Sequence, residues 1–162
     1  MVMKFPIGIQ SFESLRSEGF VYVDKTALVK KLVSEGKCYF LSRPRRFGKS
    51  LLISTIEAYF KGKKHLFEGL AMAELETEWK EHPVLHLDLN AKPYTKLQDL
   101  YDLLDDQLTY YERQYDSIAT DKSPEGRFRQ LIRSAKQKTG RGAVVLVDEY
   151  DKPILQAIGN EP

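Results

Sequence analysis

An α/β fold with a mainly parallel sheet is predicted by three features of the sequence. In the first, Lys37 to Phe60, the apolar run Cys38-Tyr39-Phe40-Leu41 leads into a basic loop ending in Gly48-Lys49-Ser50. Leu51, Leu52, Thr55, Ile56, Tyr59 and Phe60 then recur at helical spacing. The second is Val84-Leu85-His86-Leu87-Asp88-Leu89, introduced by Pro83, which reads as a strand. The third is Ala143-Val144-Val145-Leu146-Val147, a strand pattern buried on both faces that delivers Asp148-Glu149 at its C-terminal end.

The elements follow in order. Residues 1–18 predict an irregular arm with a short helix around Ser11 to Arg16. Phe20-Val21-Tyr22-Val23 has the aromatic and β-branched character of an edge strand, and Asp24 or Thr26 caps a helix that runs to about Ser34 and stops at Gly36. After the central helix, Gly62-Lys63-Lys64 is a break, followed by a short segment and a glutamate-rich helix before Trp79. His86 is expected to pack on or beside the sheet, since no second metal-type ligand stands at a recognisable spacing from it. Lys96 to Tyr115 places Leu97, Leu100, Tyr101, Leu104, Leu108 and Tyr111 on one stripe, with Asp99, Asp102, Asp105 and Asp106 mostly opposite. Tyr110, Tyr111 and Tyr115 are expected in packing rather than in base stacking. Pro124 opens a last helix with the apolar stripe Phe128, Leu131, Ile132 and Ala135; its many arginines and lysines suit a solvated face, or one opposing the acidic helix, better than a nucleic-acid contact.

Composition narrows the function classes. The chain has 162 residues and 42% hydrophobic content, enough for one domain. Its 25 Lys and Arg against 23 Asp and Glu leave a formal charge of +2, which does not mark a nucleic-acid binder. Neither a signal-peptide apolar region nor a membrane-length apolar run is present, so a cytoplasmic protein without membrane attachment is expected. Cys38, the single cysteine, is expected as a small buried hydrophobe.

Strand, basic loop and helix in this order suit a phosphate-binding loop. A helix N-terminus offers unpaired N–H groups and a partial positive charge to an anion. Gly48 lets the backbone approach the phosphates, Lys49 reaches the β- and γ-phosphates, and the Ser50 hydroxyl enters the shell of a magnesium ion. The usual first glycine is absent, its place being taken by Arg43. Asp148 is a candidate magnesium ligand and Glu149 a candidate general base for the water that attacks the γ-phosphate. Asp88, near a strand's C-terminal end, lies on the edge where open α/β sheets bind ligands.

Four stretches together resemble the bacterial AAA-ATPase-like family: Ser42 to Ser50 (SRPRRFGKS), Leu146 to Pro153 (LVDEYDKP), Phe20 to Thr26 (FVYVDKT) and Pro83 to Asn90 (PVLHLDLN). Longer members carry a C-terminal PD-(D/E)XK nuclease-like domain. The resemblance implies a P-loop NTPase-like three-layer sandwich, with a Walker A loop around Lys49 and Ser50 and a Walker B strand ending at Asp148. Over residues 1–36 it implies an arm, edge strand and helix, and over 37–162 the nucleotide-binding core. The implied ligands are ATP and Mg2+, contacted by Phe47, Gly48, Lys49, Ser50 and Leu51, with Ser50 and Asp148 at the metal and Glu149 as base. Arg45 and Arg46 are added as candidates that lie along the phosphates or face a neighbouring subunit or nucleic acid.

By the same resemblance the chain is expected to be an N-terminal fragment, truncated after the Walker B strand. Its incomplete sheet should then show an altered order, direct pairing of the two motif strands, or an exposed edge covered by another chain. The leading function is an ATP-binding, Mg-dependent module that hydrolyses ATP in the complete protein, coupled to a nuclease-like domain, with nucleic acid as a partner of the full-length protein and a homo-oligomer as a separate expectation. The alternative is a nucleic-acid-binding or interaction module with a regulatory or degenerate nucleotide site.

Overall fold

The computed structural model describes residues 4–44, 46–90 and 94–153, and the chain divides into two compact units, 1–81 and 82–162.

The first unit is helical. Helix α1, Phe12–Ser17, starts at Ser11, whose hydroxyl accepts the Ser14 amide. Helix α2, Thr26–Glu35, ends at Gly36, as its sequence predicts. Helix α3, Lys49–Phe60, is followed by a 3-10 turn over Lys64–Phe67 and by the short helix α4, Ala71–Leu75. Phe12, Leu15, Val29, Leu66, Phe67 and Met72 are buried, and the Phe67 ring lies 4.9 Å from Phe12 and 5.0 Å from Trp79 between centroids.

Two polar joints fix these helices. Asp24 accepts hydrogen bonds from the Thr26 amide and hydroxyl and from the Ala71 amide, while the fully buried Thr26 hydroxyl accepts from Met72 N. The FVYVDKT stretch therefore closes the starts of both α2 and α4. Asp24→Ala is expected to lower the unfolding free energy by about 1–2 kcal/mol, read from a urea transition. Asp24→Asn, which still accepts hydrogen bonds, should recover part of the loss. At the second joint Glu76, its side chain 9% exposed, takes the Lys30 ammonium at 2.6 Å and the Tyr59 hydroxyl at 2.5 Å, so α2 and α3 share one carboxylate.

The second unit holds the sheet. Strands β1, Val84–Asp88, and β2, Val144–Asp148, pair in parallel with Val84 opposite Val144 and Asp88 opposite Asp148. Between them run α5, Leu97–Gln114, and α6, Pro124–Thr139. Helix α6 has Ser123 as N-cap, Pro124 in its first turn and a left-handed Gly140 at its end. Leu85, Leu108, Tyr115, Leu131 and Ala135 form the core, with Tyr111, Phe128, Ile132 and Ala143 packed against it. Burying a side chain such as Leu85 or Leu131 contributes about 1.5–3 kcal/mol.

Several expectations are corrected. Residues 37–44 do not form the expected loop-bearing strand. The first unit's only strand-type pairing among the described residues is a single bridge between Lys4 and Phe20, so neither this run nor Phe20 to Val23 has a ladder to join. Cys38 is exposed rather than buried, and Phe40 is 74% exposed. Strand β2 is covered on one face, since Val145 and Val147 are 39% and 40% exposed. Leu97 and Tyr101 are exposed as well, and the buried residues of α5 are Leu103 and Leu108.

The edges of the pair explain that last rotation. Tyr111 OH accepts from His86 N and donates to His86 O, and the Gln107 amide does the same for Asp88 N and O. One turn apart on α5, these side chains occupy the outer edge of β1 in place of a neighbouring strand. Between the strands, Val144 N donates to Pro83 O and Leu89 N to Asp148 O, so the ladder uses Val144, Leu146 and Asp148. The backbone groups of Val145 and Val147 point outward, and among the described residues no strand pairs with that edge of β2. The described sheet is thus a small parallel two-stranded one in an α/β chain. No described helix is long and apolar enough to cross a membrane.

Candidate functional site

The residues expected at the phosphates belong to the first unit. The chain enters α3 through Arg46 and Gly48, both left-handed with φ of 67° and 73°; an added Cβ on Gly48 would meet nothing within 4 Å, so the constraint there is the backbone angle. No side chain caps the helix, and no acidic residue stands in its first turn, which is Lys49-Ser50-Leu51. An uncapped N-terminus leaves its first amides facing outward with the positive end of the helix dipole. Among the described residues no carboxylate pairs with the Lys49 ammonium or with the Arg43 and Arg46 guanidinium groups. Phe47 is 63% exposed beside them. Arg45 lies outside the described residues.

Helix α3 is held rigidly behind this end. Ser54 Oγ accepts the Phe12 amide at 2.8 Å, Thr55 Oγ1 donates to Leu51 O, and Tyr59 reaches Glu76. Burial alone would raise the Glu76 carboxyl, but hydrogen bonds from Lys30, Tyr59 and the Glu78 amide bring it down to about 2. Burial and the donated bond push the Tyr59 phenol up.

The carboxylates belong to the second unit. Asp148, 8% exposed, ends β2 beside its register partner Asp88, which is exposed at the end of β1. Asp148 Oδ1 accepts the Glu149 amide at 2.9 Å, and Glu149 is left-handed with φ of 52°. The Glu149 carboxylate makes no hydrogen bond or ion pair among the described residues. Adjacent strand residues would point to opposite faces, and the turn at Glu149 is where that alternation ends.

The basic helix has internal partners. Arg127 is bound by Glu112, Asp105 and Thr109 of α5, and Lys138 by Asp116 and Gln114 O. Those two cations oppose the acidic segment before them. No described group of three or more His, Cys, Asp or Glu could hold a metal ion.

A family model described as predicted AAA-ATPase matches residues 6–162. The chain belongs to the AAA-ATPase-like family. A protein of Azotobacter chroococcum mcd 1, named as an uncharacterized protein in the vnfD 5' region, is 42% identical over 153 residues. Those residues are 94% of this chain and 30% of that relative, so the chain spans less than a third of the relative's length. No solved structure matches it. Membership among AAA-ATPase-like proteins suggests nucleotide binding, in keeping with the uncapped, lysine-bearing start of α3.

No role follows from the sequence for three polar residues of this AAA-ATPase-like chain: Glu76, Asn90 and Lys152. Glu76 pairs with a lysine 46 positions away, and Lys152 with an asparagine 62 positions away. No local spacing reveals such pairs.

Proposed function

We propose that the chain is an ATP-binding, magnesium-dependent ATPase module. The observation that carries this reading is the start of α3: a left-handed Gly48, no cap, and a Lys49 ammonium with no acidic partner among the described residues. Family membership supports the same ligand class. In this reading the amides of Gly48 to Leu51 and the Lys49 ammonium bind the phosphates, while Arg45, Arg46 and Phe47 border them.

Ser50 is a proposed magnesium ligand, a hydroxyl being a hard oxygen donor of the kind that ion takes, and Asp148, a carboxylate, has the same donor chemistry. When bound, the ion neutralises charge on the β- and γ-phosphates. Glu149 is the general base: its uncommitted carboxylate orients and polarises the attacking water. Coupling to a nuclease-like domain, and through it to nucleic acid, is the corresponding proposal for the whole protein.

Titration with ATP and magnesium tests the reading. Lys49→Ala should weaken binding by about tenfold or more, the loss of a charge-assisted phosphate contact. Equal affinity in the two proteins would reject the phosphate-loop assignment.

A further inference from the structure

The chain leaving β2 is tied to the chain leaving β1 by a side chain outside the nucleotide machinery described above. Lys152 Nζ donates to Asn90 O at 3.1 Å and also to Asn90 Oδ1. Asn90 is itself fixed to the end of β1, its amide donating to Asp88 Oδ1 at 2.8 Å. On the other side, Lys152 N donates to Glu149 O at 3.0 Å, and Glu149 N donates to Asp148 Oδ1. Since Asp88 and Asp148 are register partners, these bonds close a ring through both strand ends: Asp88, Asn90, Lys152, Glu149, Asp148.

Glu149 is the member of the ring that needs such support. Its left-handed backbone is unusual for a residue with a side chain and persists only when its surroundings over-determine it. Its carboxylate has no described partner, so its direction is set by its backbone. The local bonds to Asp148 and Lys152 shape the turn, and the reach of Lys152 to Asn90 ties that turn to the chain leaving the neighbouring strand. Lysine suits this task, because a long stem carrying several donors can take a carbonyl and a side-chain amide oxygen together.

We infer that Lys152 and Asn90 are positioning residues for Glu149, holding the strand-end turn so that its carboxylate keeps one direction on the sheet edge. The inference rests on the reading of Glu149 as the base. Displacing a catalytic group by about 1 Å can cost up to a hundredfold in rate, so even a small shift in this turn would register in turnover.

The test compares Lys152→Met, Asn90→Ala and Lys152→Arg in the full chain, by amide hydrogen exchange and by ATP turnover. Lys152→Met and Asn90→Ala should each speed exchange of the Glu149 and Lys152 amides by about tenfold, leaving α5 and α6 unchanged. Turnover should fall by about tenfold with affinity for ATP and magnesium unaltered, and Lys152→Arg should restore both. Adding Lys152→Met to Glu149→Gln should cost nothing more, because a positioning residue acts only through the group it positions. Unchanged exchange in Lys152→Met would overturn the tether, as would a loss of nucleotide affinity matching the loss of rate, which would make Lys152 a ligand contact. Failure of Lys49→Ala to weaken binding would instead remove the nucleotide reading, and the exchange measurement would still decide the tether.

Discussion

Glu149→Gln is expected to retain ATP and lose turnover by about a hundredfold or more, the usual contribution of a general base. Glutamine keeps the size and most of the hydrogen bonding of glutamate but cannot accept the proton of the attacking water. The backbone amide at this position, which bonds Asp148 Oδ1, is unaffected by the change, so the turn that ends β2 should persist. Single-turnover measurements together with nucleotide titration separate the two effects: a removed base lowers the rate at unaltered affinity. Turnover that survives in Glu149→Gln would remove this residue as the base and direct attention to Asp88, the exposed carboxylate at the end of β1.

The second large effect is on stability, at Glu76. Its carboxyl is held at about 2 against an ordinary 4.5, because Lys30, Tyr59 and the Glu78 amide outweigh the burial that would raise it. The unfolded chain therefore takes up the proton first on acidification. The stabilisation is complete above pH 4.5 and is lost as pH falls from there towards about 2. A shift of this size corresponds to roughly 3 kcal/mol. Glu76→Gln should lower the unfolding free energy at pH 7 by about that amount, and it leaves a lysine beside a neutral partner. The difference between wild type and variant should shrink across the same acid window, read from urea transitions at a series of pH values. A difference independent of pH would assign the role of Glu76 to packing instead. Since the joint anchors α3, whose first turn bears Lys49, the variant should also bind nucleotide less tightly as it loosens.

The helices and both strands were legible in the sequence because their signals are local. Pro124 and Gly140 bound α6, Gly36 ends α2, and the runs after Pro83 and Ala143 became β1 and β2. The same holds for the phosphate-side residues: a glycine, a lysine and a serine at the start of an apolar-striped helix are a pattern of neighbours.

The run Cys38-Tyr39-Phe40-Leu41 shows where that legibility ends, for its β-type composition is real, yet it forms no strand without a ladder partner. Likewise, the alternation in β2 does not reveal which face is covered, and the stripe on α5 does not reveal that Gln107 and Tyr111 turn it towards the edge of β1. By itself the sequence determined the local elements and the chemistry at their ends, since propensity, capping and periodicity act within a few residues. Only the tertiary structure decided that Asp88 stands opposite Asp148, that Lys152 reaches Asn90, and that Glu76 joins α2 to α3, because these contacts close loops of many residues and are selected by packing.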